Sequence, residues 1–126
     1  MNNKEIEDRL KDIKIENFIW LIYIGIIVLS FYSNELEKDY FINNNESSKE
    51  KYRTIIMFIF SVLFIVYFYF FLDSYGDLKD FDSYNEEKKN KVIISFIAST
   101  LILISGALFL YLAYNDENLD IELAFN

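Results

Sequence analysis

The sequence predicts an all-α integral membrane protein: a three-helix bundle of three transmembrane spans, with an amphipathic N-terminal extension and helices that run beyond the bilayer. Three observations carry this. Apolar types make up 53% and charged types 25% of the 126 residues, yet the two classes barely mix, and 17–34, 54–72 and 92–115 contain no charged residue at all. These stretches approach or reach the ~20 helical residues that a ~30 Å hydrocarbon core requires. Tyr and Trp gather toward their ends, where amphipathic rings suit the headgroup level. One compact domain is all this length allows.

The first span, 17–33, is the shortest. Its apolar core from Phe18 to Tyr32 has 15 residues, or roughly 22 Å of helix, so the bilayer must thin locally to receive it. A soluble buried helix is the alternative for such a length. It is set aside because so small a chain offers no soluble surface to cover it. A cleaved leader is also disfavoured. The region 1–16 mixes four basic with five acidic residues, and Ser30-Phe31-Tyr32 is a poor small-residue cleavage site. Spans two and three, 54–72 and 92–114, are long enough without adjustment.

The arm 1–16 reads as an amphipathic cytoplasmic foot. Ile6, Leu10, Ile13 and Asn17 open a stripe, spaced alternately four and three, that continues through Trp20, Ile24, Ile27 and Phe31. Such spacing puts all eight on one helix face running from water into the membrane. Glu5, Asp8, Lys11 and Asp12 lie opposite. One continuous helix is expected, with Ile6, Leu10, Ile13 and Asn17 as a candidate oligomer stripe. The foot either lies in the interface or packs on a neighbouring subunit. An interfacial Asn is the plainer reading of Asn17.

Between spans one and two, the stretch SNELEKDYFI stays helix-compatible and breaks at Asn43-Asn44-Asn45. Ser47 with Glu50, and Ser83 with Glu86, match capping boxes that would open the second and third helices. Gly76 is a candidate helix stop. Asn45-Glu46-Ser47 matches a glycosylation acceptor. It carries no weight in a chain whose richness in Asn, Lys, Ile and Phe fits an AT-rich bacterial genome. The acids Asp73, Asp77, Asp80, Asp82, Glu86 and Glu87 form a solvated loop. A calcium loop needs a Gly turn and a closing Glu, and Lys91 stands at the closing position. The tail 115–126 is acidic, and Leu119 to Phe125 alternates apolar and polar residues. It suits an added strand against a partner or a frayed end.

Orientation follows from the basic residues. The foot and the second loop share a side and carry eight Lys and Arg, against four for the first loop and the tail. The positive-inside rule places the N-terminus in the cytoplasm and the C-terminus outside the cell membrane. Lys51 and Arg53 sit against a membrane end on the other side.

Composition excludes several chemistries. There is no Cys and no His, hence no disulfide, thiol or imidazole chemistry. No metal, cofactor or catalytic residue is expected. A net charge of -8 disfavours nucleic acid. No ionisable residue lies deep in a span, so proton relays and ion-coupled transport lack their usual apparatus. In span number and N-terminal foot the chain resembles the small bacterial diacylglycerol kinases, but their Glu-, Asn- and Thr-containing motifs have no counterpart here. Small phage holins also use three spans, yet they end in a basic tail where this one is acidic. No family follows from either resemblance.

The function expected is non-enzymatic: association through helices in the lipid bilayer, as a homo-oligomer or with another membrane protein. An oligomeric pore, holin-like or a small channel, is the alternative, and it needs a polar stripe down one helix. Only span three has anything similar. There Ser95, Ala98, Ser99, Ser105, Gly106 and Ala113, with Ile102 and Phe109, fall within about 120° of the helix circumference. Small residues on one face are also what close helix packing in lipid requires, within one subunit or between subunits.

Overall fold

In the computed structural model, residues 2–115 are described, and every element among them is helical. Helix α1 is Asn3–Asn43, α2 is Glu46–Gly76 and α3 is Glu86–Asn115, with a 3-10 helix, Asp77–Ser83, between α2 and α3. All three α-helices are long and apolar enough to cross a membrane. The alternating segment from Leu119 lies outside the described residues, as does all of the tail after Asn115.

Helix α1 is a single helix of 41 residues, ~61 Å at 1.5 Å per residue, so foot and first apolar stretch are continuous. Its start is held by a capping box. The Asn2 Oδ1 accepts the Glu5 N–H at 2.8 Å, and the Glu5 carboxylate accepts the Asn2 N–H at 3.4 Å. Its end is set by Asn44, whose backbone is left-handed at φ 51°, ψ 36°. Asn enters that region more readily than most residues, and there it stops the helix.

The caps of α2 and α3 differ from those expected. Asn45, not Ser47, opens α2: its Oδ1 accepts the N–H groups of Ser47 and Ser48 at 3.1 and 3.4 Å. Asn85, not Ser83, opens α3, accepting the Lys88 N–H at 2.8 Å. The Ser83 hydroxyl instead donates to the Asp80 carbonyl at 2.6 Å, inside the 3-10 helix. Asn has the same ability as Ser to satisfy an orphan N–H. In each case it stands directly before the first helical residue, where the geometry demands the cap. Gly76 is the last residue of α2 but keeps a right-handed backbone, φ -59° and ψ -34°. The chain therefore tightens into the 3-10 helix without a left-handed stop, and its break falls at Asp80, φ -105° and ψ 24°.

Two compact units divide the chain, Met1–Tyr52 and Arg53–Asn126, with the boundary inside α2. In the first, α1 and the opening turns of α2 are tied together at Asp39. Its Oδ1 accepts from the Asn43 amide at 2.7 Å, and its Oδ2 from the Asn45 amide at 2.9 Å and the Ser48 hydroxyl at 2.5 Å. The Lys49 ammonium lies 5.4 Å from the centre of the Tyr40 ring.

The second unit is an antiparallel helical hairpin. Near its open end Phe60 stacks on Phe109, centroids 5.6 Å apart and planes 7° from parallel. At mid-length Tyr67 lies against Gly106. Close to the turn Phe71 and Tyr75 meet Phe96, and Ser74 and Ser99 share a hydrogen bond of 2.8 Å. Residue numbers fall along one helix as they rise along the other, as antiparallel neighbours require. At the turn itself Lys88 lies 4.2 Å from the Tyr84 ring centre and Lys89 5.4 Å from that of Phe81.

Candidate functional site

With no catalytic or ligand-binding group expected, the surfaces by which the helices pack are the functional candidates. The covered side of α3 runs Val92, Phe96, Ser99, Leu103, Gly106, Leu110 and Ala113, each buried or half-buried. The spacing alternates four and three, the rhythm of a helix packed along its length. Of the residues expected to pack, Ser99, Gly106 and Ala113 lie on this side. Ser95, Ala98 and Ser105 are exposed. The covered side is turned about 70° around the helix from the arc of small residues, counting 100° per residue.

Gly106 leaves no room for a side chain against α2. A Cβ built there would stand 2.7 Å from Cδ2 of Tyr67, 3.4 Å from its Cε2 and 3.8 Å from its Cγ. A glycine without a side chain lets the edge of the Tyr67 ring at Cδ2 come close to the α3 backbone. The Ser74–Ser99 bond satisfies two hydroxyls at once in an apolar setting, where an unmade bond is costly. Ser61 and Thr100 take the other solution, donating to the carbonyls of Met57 and Phe96 one turn back at 2.7 and 2.8 Å. Ser61 also lies 3.4 Å from the Tyr114 hydroxyl across the hairpin, so the back-bond to its own helix does not preclude a second contact.

The stripe on the foot is uncovered. Ile6, Leu10 and Ile13 are 43%, 54% and 43% exposed, and Asn17 is exposed as well. The face continues through Trp20, Ile24, Ile27 and Phe31, all large, apolar and exposed.

Outside the apolar stretches two groups are electrostatically perturbed. Hydrogen bonds from Ser48, then Asn43, hold the Asp39 carboxyl below its ordinary value; desolvation opposes them, and a further bond from Asn45 adds the least. Desolvation, with the charges of Asp80 and Asp77, pushes the Tyr84 hydroxyl above the ordinary tyrosine value; it donates to the Asp77 carbonyl at 2.9 Å. Among the described residues no three Asp or Glu side chains converge as a metal site would need. The nearest ion pairs, Glu87–Lys91 at 3.1 Å and Glu86–Lys89 at 3.9 Å, are local pairs along α3.

The Gly106–Tyr67 contact and the Asn caps are the features that reading the sequence for small residues and Ser-based boxes did not find. Over 92–114 helix α3 is apolar all round, so no periodic pattern in its sequence distinguishes the covered side from the others. Comparison with protein-family models, with curated proteins and with solved structures finds no match.

Proposed function

We propose that this chain is a non-enzymatic membrane protein that works by helix association, either with copies of itself or as an accessory subunit of a larger membrane complex. The observation that carries the reading is how little of the apolar surface the fold covers. Over the most apolar window of each long helix, only 6%, 22% and 17% of residues are buried. Water does not tolerate apolar surface of that extent on a folded chain, and a bilayer does. The lack of any Asp, Glu, Lys or Arg in 17–34, 54–72 and 92–115 supports a role without proton or ion handling at membrane depth. In this reading the protein sits in the cell membrane with the N-terminus inside and three spans packed as a bundle. Its exposed α1 stripe and the small residues of α3 then remain available to other helices.

The test is native mass spectrometry of the protein extracted from membranes in mild detergent. A defined multiple of the 15.1 kDa chain mass, or that mass with a second protein in fixed ratio, is expected. A bare monomer across mild detergents contradicts association. Dye release from vesicles carrying the purified protein would redirect the reading to a pore.

A further inference from the structure

Arg53 is the first residue before the charge-free stretch 54–72. It differs from the other cations that flank the apolar stretches. Lys14 and Lys51 are exposed, and Lys91 is paired with Glu87. Arg53 is half-buried. Its Nε is the one buried side-chain nitrogen or oxygen without a hydrogen-bond partner among the described residues, and no carboxylate pairs with it there.

A partly desolvated cation without a counter-charge is unfavourable unless something outside the chain supplies an anion. Position says which anion. If 54–72 spans the bilayer, Arg53 stands at the level of the lipid phosphates, and its long stem lets the head turn outward to them. The guanidinium edge formed by Nε and one Nη matches two phosphate oxygens, a geometry that a lysine ammonium lacks.

We propose that Arg53 is a phospholipid anchor whose guanidinium holds the phosphate of an anionic lipid at the edge of the second span. The proposal rests on the membrane reading above. Turning outward gives Nε the acceptor that the protein does not provide and fixes the depth of α2 in the bilayer. Lys51, exposed and 200° away around the helix at 100° per residue, contributes only general attraction.

The experiment uses the full chain, first shown by flotation to enter vesicles of phosphatidylcholine and phosphatidylglycerol. A chain that does not float with the vesicles overturns the membrane reading and this proposal together. For the chain that inserts, phosphatidylglycerol is titrated in detergent and bound lipid counted by native mass spectrometry, for wild type, Arg53→Gln, Arg53→Lys and Lys51→Gln. Arg53→Gln should weaken the tightest lipid about fivefold, with Arg53→Lys between it and wild type, while Lys51→Gln stays within twofold of wild type. Unchanged binding in Arg53→Gln overturns the proposal. So do equal losses in Arg53→Gln and Lys51→Gln, which mean surface charge alone. Displacement of the lipid by millimolar inorganic phosphate overturns it too, assigning the site to free phosphate. The helical circular dichroism of each variant is compared with wild type, and Arg53→Lys supplies the folded comparison if Arg53→Gln loses structure.

Discussion

Gly106, against Tyr67, and Asp39, bonded to Asn43, Asn45 and Ser48, each yield a prediction. At Gly106 a methyl group would meet the body of the Tyr67 ring at 2.7 Å, not the end of a flexible chain. Gly106→Ala should therefore destabilise the hairpin by about 1–3 kcal/mol, as overpacking usually does, read as a lower thermal midpoint in detergent. Removing the ring relieves the clash, so Tyr67→Ala and Gly106→Ala together should cost less than the sum of the two. Leu101→Ala, on an exposed side of α3, should stay within about 0.5 kcal/mol of wild type; a larger loss there than at Gly106 would show the hairpin contact is misplaced. Asp39 makes the pH prediction. Its carboxyl is held below the ordinary 3.8, so folding favours the charged form. The stabilisation it gives is complete above that ordinary value and is lost as pH falls through the lowered one. Asp39→Asn should abolish this acid dependence of the α1–α2 turn, followed by amide exchange at residues 43–48. An acid profile identical in wild type and variant would show that the Ser48, Asn43 and Asn45 bonds do not favour the carboxylate.

At the scale of elements, the helix starts are where energy is concentrated in single side chains. Asn45→Ala and Asn85→Ala should each cost about 1 kcal/mol, while Ser47→Ala and Ser83→Ala should cost a few tenths, measured by thermal unfolding of each variant. Larger losses at the serines would restore the capping boxes read from the sequence. Why those boxes misled is instructive. Ser47–Glu50 and Ser83–Glu86 satisfy the motif, but Asn45 and Asn85 precede the first helical residue and offer an equal acceptor, and the motif alone does not rank the two. The long elements were legible for the opposite reason. Lack of charge over 17–34, 54–72 and 92–115 is a signal repeated at every residue, and a wrong reading at one position does not disturb it. The packing side of α3 was half legible. Of the small residues on one arc of α3, Ser99, Gly106 and Ala113 are buried or half-buried, and Ser95, Ala98 and Ser105 are exposed. Phe96, Leu103 and Leu110 are half-buried on the same side as Ser99 and Gly106, with Phe96 against Phe71 and Tyr75.

For the molecule as a whole, the central claim is that the three long apolar helices cross a bilayer and that successive loops lie on opposite sides. Helix lengths, the low burial of the apolar windows and the placement of every charge outside them all bear on it. The proposed orientation, foot and second loop inside, rests on the basic residues and the positive-inside rule. Because the chain has no native Cys, single cysteines report cleanly, and Ser47 and Ser83 are exposed positions in the two loops. The most direct measurement is labelling of Ser47→Cys and Ser83→Cys in intact cells with a membrane-impermeant maleimide, repeated after permeabilisation. Ser47→Cys should be labelled in intact cells and Ser83→Cys only after permeabilisation. Labelling of Ser83→Cys alone would reverse the orientation, and equal labelling of both in intact cells would contradict a membrane-spanning α2.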